Sequence, residues 1–187
     1  MHVLRASDHK RMPWKNGDGE TVEIAVFPPH ATVDDFDWRI SMATVSSDGP
    51  FSIFPQIDRT LSILDGKGMS LAIDGADPIL LTTSSEPLSF AADVPVDATL
   101  ADGTTTDLNV MTRRERFGHR VDRMIGSFSI SPPKQNETVV VLTTGPISIS
   151  SEAQNVELER LDAVFLDGPA DVEAENIVSY VIRLYAA

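Results

Sequence analysis

The chain has 187 residues, with 15 Lys and Arg against 28 Asp and Glu, a formal net charge of -13. A field of that sign repels phosphate backbones and argues against nucleic acid as a partner. There is no cysteine, which excludes disulfides, thiol nucleophiles and thiolate metal sites. The start, MHVLRASDHK, has no apolar signal core, and no apolar run approaches the roughly 20 residues that span a bilayer. The reading is a soluble, cytoplasmic protein with no membrane engagement.

Polar chemistry is densest at the start of the chain, in MPWKNGDGET (12–21). ETVEIAVF (20–27) then alternates Val22, Ile24 and Val26 with Thr21, Glu23 and Ala25 and stops at Pro28-Pro29, which predicts a strand with a breaker. FDWRISMATV (36–45) alternates Phe36, Trp38, Ile40 and Met42 with Asp37, Arg39, Ser41 and Ala43, a second strand. RTLSIL (59–64) leads through Asp65-Gly66-Lys67-Gly68 into MSLAID (69–74), and Asp74-Gly75 leads into PILLTT (78–83). Asp-Gly between alternating runs predicts hairpins. PLSF (87–90), VDATL (96–100) and DLNVM (107–111) continue the series.

A basic island follows, TRRERFGHRVDR (112–123), read as a solvated connector with local ion pairs. SFSIS (127–131), TVVVLTT (138–144), PISIS (146–150), DAVFLD (162–167) and IVSYVIRLY (177–185) are further strands, with PPKQNE (132–137) as a loop. Short alternating runs between Gly, Pro and Asp turns predict an all-β fold of antiparallel sandwich or barrel type. Both halves repeat strand, glycine turn, strand, with the basic island as the joint. The expected division is 1–112 and 113–187, packed together as one unit. Tyr180 and Tyr185 either close a barrel or line an interface, which leaves a homodimer open.

Several chemistries find no support. His2, His9, His30 and His119 show no metal-ligand spacing, so no metal or other cofactor is expected. GDGETV (17–22) has neither a third glycine nor a preceding strand, so the dinucleotide fingerprint fails. No Gly-x-Ser-x-Gly occurs. Glu20 and Asp58 would work as an acid–base pair only if the fold joins them. In a barrel strand every second side chain points inward. Polar residues on such a face are either a satisfied core network or a ligand pocket. Asp107, Asn109 and Met111 share one strand face in DLNVM, and Arg39 and Ser41 share one in WRIS.

MPWKNGDGET, DDFDWRISMATVSSDGPFS, FPQIDRTLSIL and DLNVMTRR together resemble the HutD/Ves family of bicupins, associated with bacterial histidine utilisation. The resemblance spans 12 to about 185. Asp18, where the family usually has a third glycine, and FAAD (90–93), where it favours a Pro-Gly-Asp or Gly-Asp turn, depart from the pattern. The resemblance implies a bicupin: two fused cupin-like antiparallel β-barrels of jelly-roll type. Aligned on Gly66, the glutamate that binds metal in metal-holding cupins falls on Arg59, and the two histidines fall on Ser52 and Phe54 or on Ile53 and Pro55. A cation thus replaces a metal-binding carboxylate. A guanidinium inside a barrel demands an anion, with Asp58 as a neutralising neighbour.

The resemblance therefore implies a metal-free pocket for a small carboxylate: urocanate, formiminoglutamate or formylglutamate. Its expected ligand-binding residues are Trp14, Lys15, Asn16, Gly17, Gly19, Glu20, Arg39, Ser41, Phe51, Phe54, Asp58, Arg59, Asp107 and Asn109. Lys15 and Asn16 would contact a carboxylate or amide, Gly17 and Gly19 would allow close approach, and Glu20 would receive a cationic formimino or imidazolium group. The leading expectation is a regulatory binding protein. The alternatives are a metal-free isomerase or hydrolase on the same ligand, and an interaction protein docking through Arg113, Arg114 and Arg116.

Overall fold

The computed structural model describes residues 1–14, 17 and 19–187. In chain order its strands are β1 (His2–Leu4), β2 (Lys10–Pro13), β3 (Gly19–Phe27), β4 (Trp38–Val45), β5 (Gly49–Pro50), β6 (Ile57–Asp65), β7 (Met69–Ile73), β8 (Ile79–Leu81), β9 (Leu88–Ala91), β10 (Val96–Leu100), β11 (Thr105–Arg113), β12 (Phe117–Ile125), β13 (Phe128–Ile130), β14 (Glu137–Thr143), β15 (Ile147–Ser150), β16 (Asn155–Leu158), β17 (Ala163–Leu166), β18 (Ala170–Glu173) and β19 (Val178–Ala186). A short 3₁₀ turn covers Ala6–Asp8. Among the described residues no helix is long and apolar enough to cross a membrane.

The strands form two compact units, one of Lys10–Gly118 with Ala187, the other of Met1–His9 with His119–Ala186. The first nine residues thus lie in the unit built mainly from the C-terminal half, where β1 pairs antiparallel with β17, His2 opposite Phe165. Each unit is a pair of antiparallel sheets, the all-β cupin-like arrangement.

In the unit of Lys10–Gly118, a six-stranded sheet of order β2-β3-β4-β11-β6-β9 accompanies a four-stranded sheet of order β5-β10-β7-β8. Leu61, Ile63, Met69, Leu71, Val96 and Ala98 form one buried cluster with residues from both sheets. Burying each such aliphatic side chain contributes about 1.5–3 kcal/mol. A second cluster gathers Phe36, Ile57, Ala92 and Met111. In the other unit, a five-stranded sheet of order β1-β17-β14-β19-β12 and a four-stranded sheet of order β13-β18-β15-β16 share a core that includes Val139, Val141, Ile149, Leu158 and Val172.

Two sequence expectations change. The Asp65-Gly66-Lys67-Gly68 turn does not close a hairpin, because β6 and β7 belong to different sheets. Its glycines, both at positive φ, carry the chain across from one sheet to the other. The hairpin at Asp74-Gly75 does form, with β7 antiparallel to β8 and Leu71 opposite Ile79. The basic island does carry the boundary between the two units, after Gly118, and its expected local ion pairs form, but as ordered strand rather than a free connector. Much of it is the strand β12, and its arginines are engaged: Arg113 with the carbonyls of Phe36 and Asp34, Arg114 with Asp58 and Asp93, Arg116 with Asp37, Arg120 with Asp122.

The crossing turn depends on Gly68. Its φ is +98°, and an added Cβ would lie 1.9 Å from the Leu81 carbonyl oxygen. Gly75 also has positive φ but meets nothing within 4 Å. Gly75→Ala is expected to lose about 1–2 kcal/mol from backbone strain alone. Gly68→Ala adds a collision with main chain and should lose roughly 2–5 kcal/mol. Urea denaturation of both variants decides, and equal losses would contradict the assignment of Gly68 to close packing.

Candidate functional site

Strand parity builds the site. β11 lies between β4 and β6, and register places Arg39, Met111 and Arg59 in one cross-strand row, with Val26 and Phe90 beyond. The next row holds Glu23, Ser41, Asn109 and Leu61, and the third holds Thr21, Ala43, Asp107 and Ile63. Side chains directly opposite one another share a face. That face turns inward onto a cavity of about 420 Å³ lined by Arg39, Ser41, Ala43 and Val45 from β4, Arg59 from β6, and Asp107, Asn109 and Met111 from β11. Trp14, Thr21, Pro50, Phe51, Ser52 and Phe54 complete it.

A β-bulge at Ile24 shapes one wall. Glu23 faces Ser41, yet Val26 faces Arg39, so the parity of β3 switches between them. Thr21 and Glu23 point into the site before the bulge, and Val26 joins the apolar Phe36 cluster after it. The unbroken alternation read from the sequence over 20–27 therefore holds only piecewise, as an inserted residue dictates.

Two buried guanidiniums dominate the cavity. Arg39 is 5% and Arg59 9% exposed. Arg39 donates from Nε to Glu23 Oε2 at 2.8 Å. Arg59 donates from Nε to Asn109 Oδ1 at 2.7 Å and from Nη2 to the same oxygen. Its guanidinium carbon lies 4.3 Å from the Phe51 ring centre and 5.7 Å from that of Phe90. Such cation–π contacts compensate part of the lost hydration. Burial pulls the Arg59 pKa down to about 10, opposed by Asp107 and reinforced by Arg39. Arg59 stays cationic at neutral pH.

Asn109 is the hinge of a polar chain. It accepts from Arg59 and donates from Nδ2 to Asp107 Oδ1. Burial pushes the Asp107 carboxyl up to about 6, against the pull of Arg59 and the Asn109 hydrogen bond. Trp14 seals another side: its Nε1 donates to Thr21 Oγ1 at 2.9 Å, and its ring packs directly on Gly19, where a Cβ would come within 2.8 Å.

Of the residues expected from sequence, Trp14, Arg39, Ser41, Phe51, Phe54, Arg59, Asp107 and Asn109 line this cavity. Gly19 lies beneath Trp14, and Gly17 donates its N–H to the Trp14 carbonyl at 3.1 Å. Lys15 and Asn16, like Asp18, fall outside the described residues. Glu20 and Asp58 are corrections. Adjacent strand residues point to opposite faces, so each turns away from the cavity. Glu20 pairs with Arg11 at 2.8 Å, and Asp58 pairs with Arg114 at 2.8 Å rather than neutralising Arg59. Glu23, the partner of Arg39, was missed. Its signal was present, since Glu23 and Thr21 share parity.

The donor set suits an anion rather than a metal cation. Two guanidiniums face the cavity, and Asp107 is the one carboxylate among its lining residues.

Paired antiparallel sheets around an inward-facing polar pocket define a cupin-type protein. The chain superposes on a Cupin 2 conserved barrel domain protein from Leptotrichia buccalis with a TM-score of 0.59 at 11% identity, covering 95% of this chain and 96% of that one. More specifically, the chain belongs to the HutD family, whose model matches residues 6–180. HutD from Pseudomonas fluorescens SBW25 superposes with a TM-score of 0.84 at 29% identity, covering 99% of this chain and 98% of that one. Protein Ves of Cronobacter sakazakii is 44% identical over 113 residues, 58% of this chain and 60% of that relative's length. An uncharacterised 21.2 kDa protein in the hutC 3' region of Pseudomonas putida is 30% identical over 171 residues, covering 90% of this chain and 87% of that protein.

The Asp107 carboxyl makes a signed pH prediction. Its folded pKa of about 6 lies above the ordinary 3.8. The native state therefore holds more protons than the unfolded state between about pH 4 and 6, and stability falls as pH rises through that window. A shift of about two units corresponds to about 3 kcal/mol. Asp107→Asn is expected to exceed the wild type in stability by up to about 3 kcal/mol at pH 7–8, the gain vanishing toward pH 4. Urea denaturation across this range tests it, and a variant equally stable at pH 8 would refute a strained Asp107.

Proposed function

We propose that this protein binds a small carboxylate in the metal-free cupin cavity and acts as a regulatory binding protein of histidine utilisation. The observation that carries the reading is the pair Arg39 and Arg59 on one cavity face. Each is held through its Nε, Arg39 by Glu23 and Arg59 by Asn109. Their Nη1 nitrogens, and Nη2 of Arg39, have no hydrogen-bond partner among the described residues. Terminal guanidinium nitrogens held this way are prepared for a carboxylate. The aromatic lining of Trp14, Phe51 and Phe54 suits the apolar body of such a ligand.

Membership of the HutD family and the hutC 3' position of the Pseudomonas putida relative support the link to histidine catabolism. Within that chemistry the ligand is urocanate, formiminoglutamate or formylglutamate. Arg59 is the anchor because its partner is a neutral amide, so its charge is the less matched of the two. Engagement of the basic island in local ion pairs removes the support for a docking surface through Arg113, Arg114 and Arg116.

A thermal-shift screen against urocanate, formiminoglutamate, formylglutamate, histidine and glutamate tests the reading. A ligand at a hundred times its Kd adds about 2.7 kcal/mol, which raises the midpoint by roughly 5–10 °C for a chain of this size. The expected outcome is one such shift, lost in folded Arg59→Ala, with the ligand recovered chemically unchanged by mass spectrometry. Turnover would move the protein to the enzymes, and silence across the panel would end the carboxylate reading.

A further inference from the structure

Binding of a carboxylate by the two arginines leaves one buried atom of the cavity unused. Asp107 is 1% exposed and lines the cavity. Its Oδ1 accepts from Asn109, but its Oδ2 is buried with no hydrogen-bond partner among the described residues. A carboxylate oxygen left unmet in a low-dielectric interior is strongly unfavourable, and native structures hold few. The cross-strand neighbours Ala43 and Ile63 offer no donor. The facing sheet brings Leu71 and Ala98 into the adjoining cluster, again without donors. Three charged groups face it in the site: Arg59 on β6, which reaches it only through Asn109, and Arg39 on β4 with Glu23 on β3. The remaining direction from Oδ2 is the cavity.

Resting on the carboxylate reading, we propose that the ligand is bifunctional. Its carboxylate sits on the terminal nitrogens of Arg39 and Arg59, and an N–H at its other end donates to Asp107 Oδ2. The chemical class is a small carboxylate that also bears an amide, amidine or imidazole N–H. Hydrogen-bond polarity favours it. A ligand with only oxygen acceptors at that end would set an acceptor against Oδ2. An N–H donor meets the orphan oxygen instead. Asp107 is then the residue that separates nitrogen-bearing ligands from plain dicarboxylates of the same length.

Calorimetric titration of the full chain tests this with N-formyl-L-glutamate, N-formimino-L-glutamate and urocanate as N–H probes, and glutarate as a dicarboxylate without nitrogen. An N–H probe that binds the wild type is expected to bind Asp107→Asn about tenfold more weakly, because a donor then faces a donor. Glutarate is expected to hold its affinity or gain. A second arm needs no variant. N-formyl-L-glutamate, whose amide does not titrate, should weaken in the wild type as pH falls below about 6 and Asp107 takes up its proton. Equal affinity in Asp107→Asn, or affinity rising as pH falls, would overturn the inference. Binding of glutarate alone would overturn it while leaving the carboxylate reading intact. Binding of no probe, or binding that survives Arg59→Ala, would remove the carboxylate reading and this inference together.

Discussion

A guanidinium cannot be taken out of water without compensation, and Arg59 is 9% exposed. Much else about the site follows from meeting that demand. Asn109 supplies an acceptor to two of its nitrogens, Phe51 and Phe90 supply ring faces, and Asp107 supplies countercharge one residue pair further on. None of these carries a full charge into direct contact. The compensation is therefore incomplete by design of the donor set, and a site of this kind gains from an incoming anion. Asp107 bears the consequence, as a carboxyl pushed up to about 6 that burial would neutralise if the arginine were not near.

The scaffold makes this arrangement possible because a β-strand offers two independent faces. On β11, Asp107, Asn109 and Met111 belong to the site, while Leu108 and Val110 are buried on the opposite face, 1% and 0% exposed. The same division runs through β4, with Arg39, Ser41 and Ala43 against Ile40 and Met42. Along the inward faces of β4 and β6 the character changes from charged at one end to aliphatic at the other, while β11 runs the opposite way, from Met111 beside the arginines to Asp107. The charged rows line the cavity, and the aliphatic residues beyond them, such as Leu61 and Ile63, close the adjoining core. The cavity wall and the core thus draw on the same strands, and Ala43, Val45 and Met111 belong to both.

The other unit repeats the architecture with different contents. Its two sheets enclose Val139, Val141, Ile149, Leu158 and Val172, and the same face continues into Arg183, which lies opposite Val139 and pairs with Glu137 at 2.9 Å. In the first unit the inward face carries two buried arginines, Arg39 and Arg59, whose polar neighbours must satisfy one another.

The sequence alone determined most of the strands and, outside the bulge in β3, their parity, although β1, β2, β12, β16 and β18 were not read from it. Alternation is a local property, so the all-β class, the repeat of the two halves and the shared faces of Arg39 with Ser41 and of Asp107 with Asn109 were all legible, while the cupin assignment came from the family resemblance. Strand parity also implied that Asp58 and Arg59 point apart, although their adjacency suggested a pair. Only the tertiary structure decided which strands are neighbours. Register brought Arg39, Met111 and Arg59 into one row from three segments separated by tens of residues, and it supplied Glu23 to Arg39 and Asn109 to Arg59. The bulge at Ile24 and the crossing at Gly66 and Gly68 were likewise hidden, since an inserted residue and a change of sheet leave the local pattern intact. The physical reason is range. Periodicity is set by the backbone of one strand, whereas pairing, burial and the charge balance of a cavity are set by contacts between residues far apart in the chain.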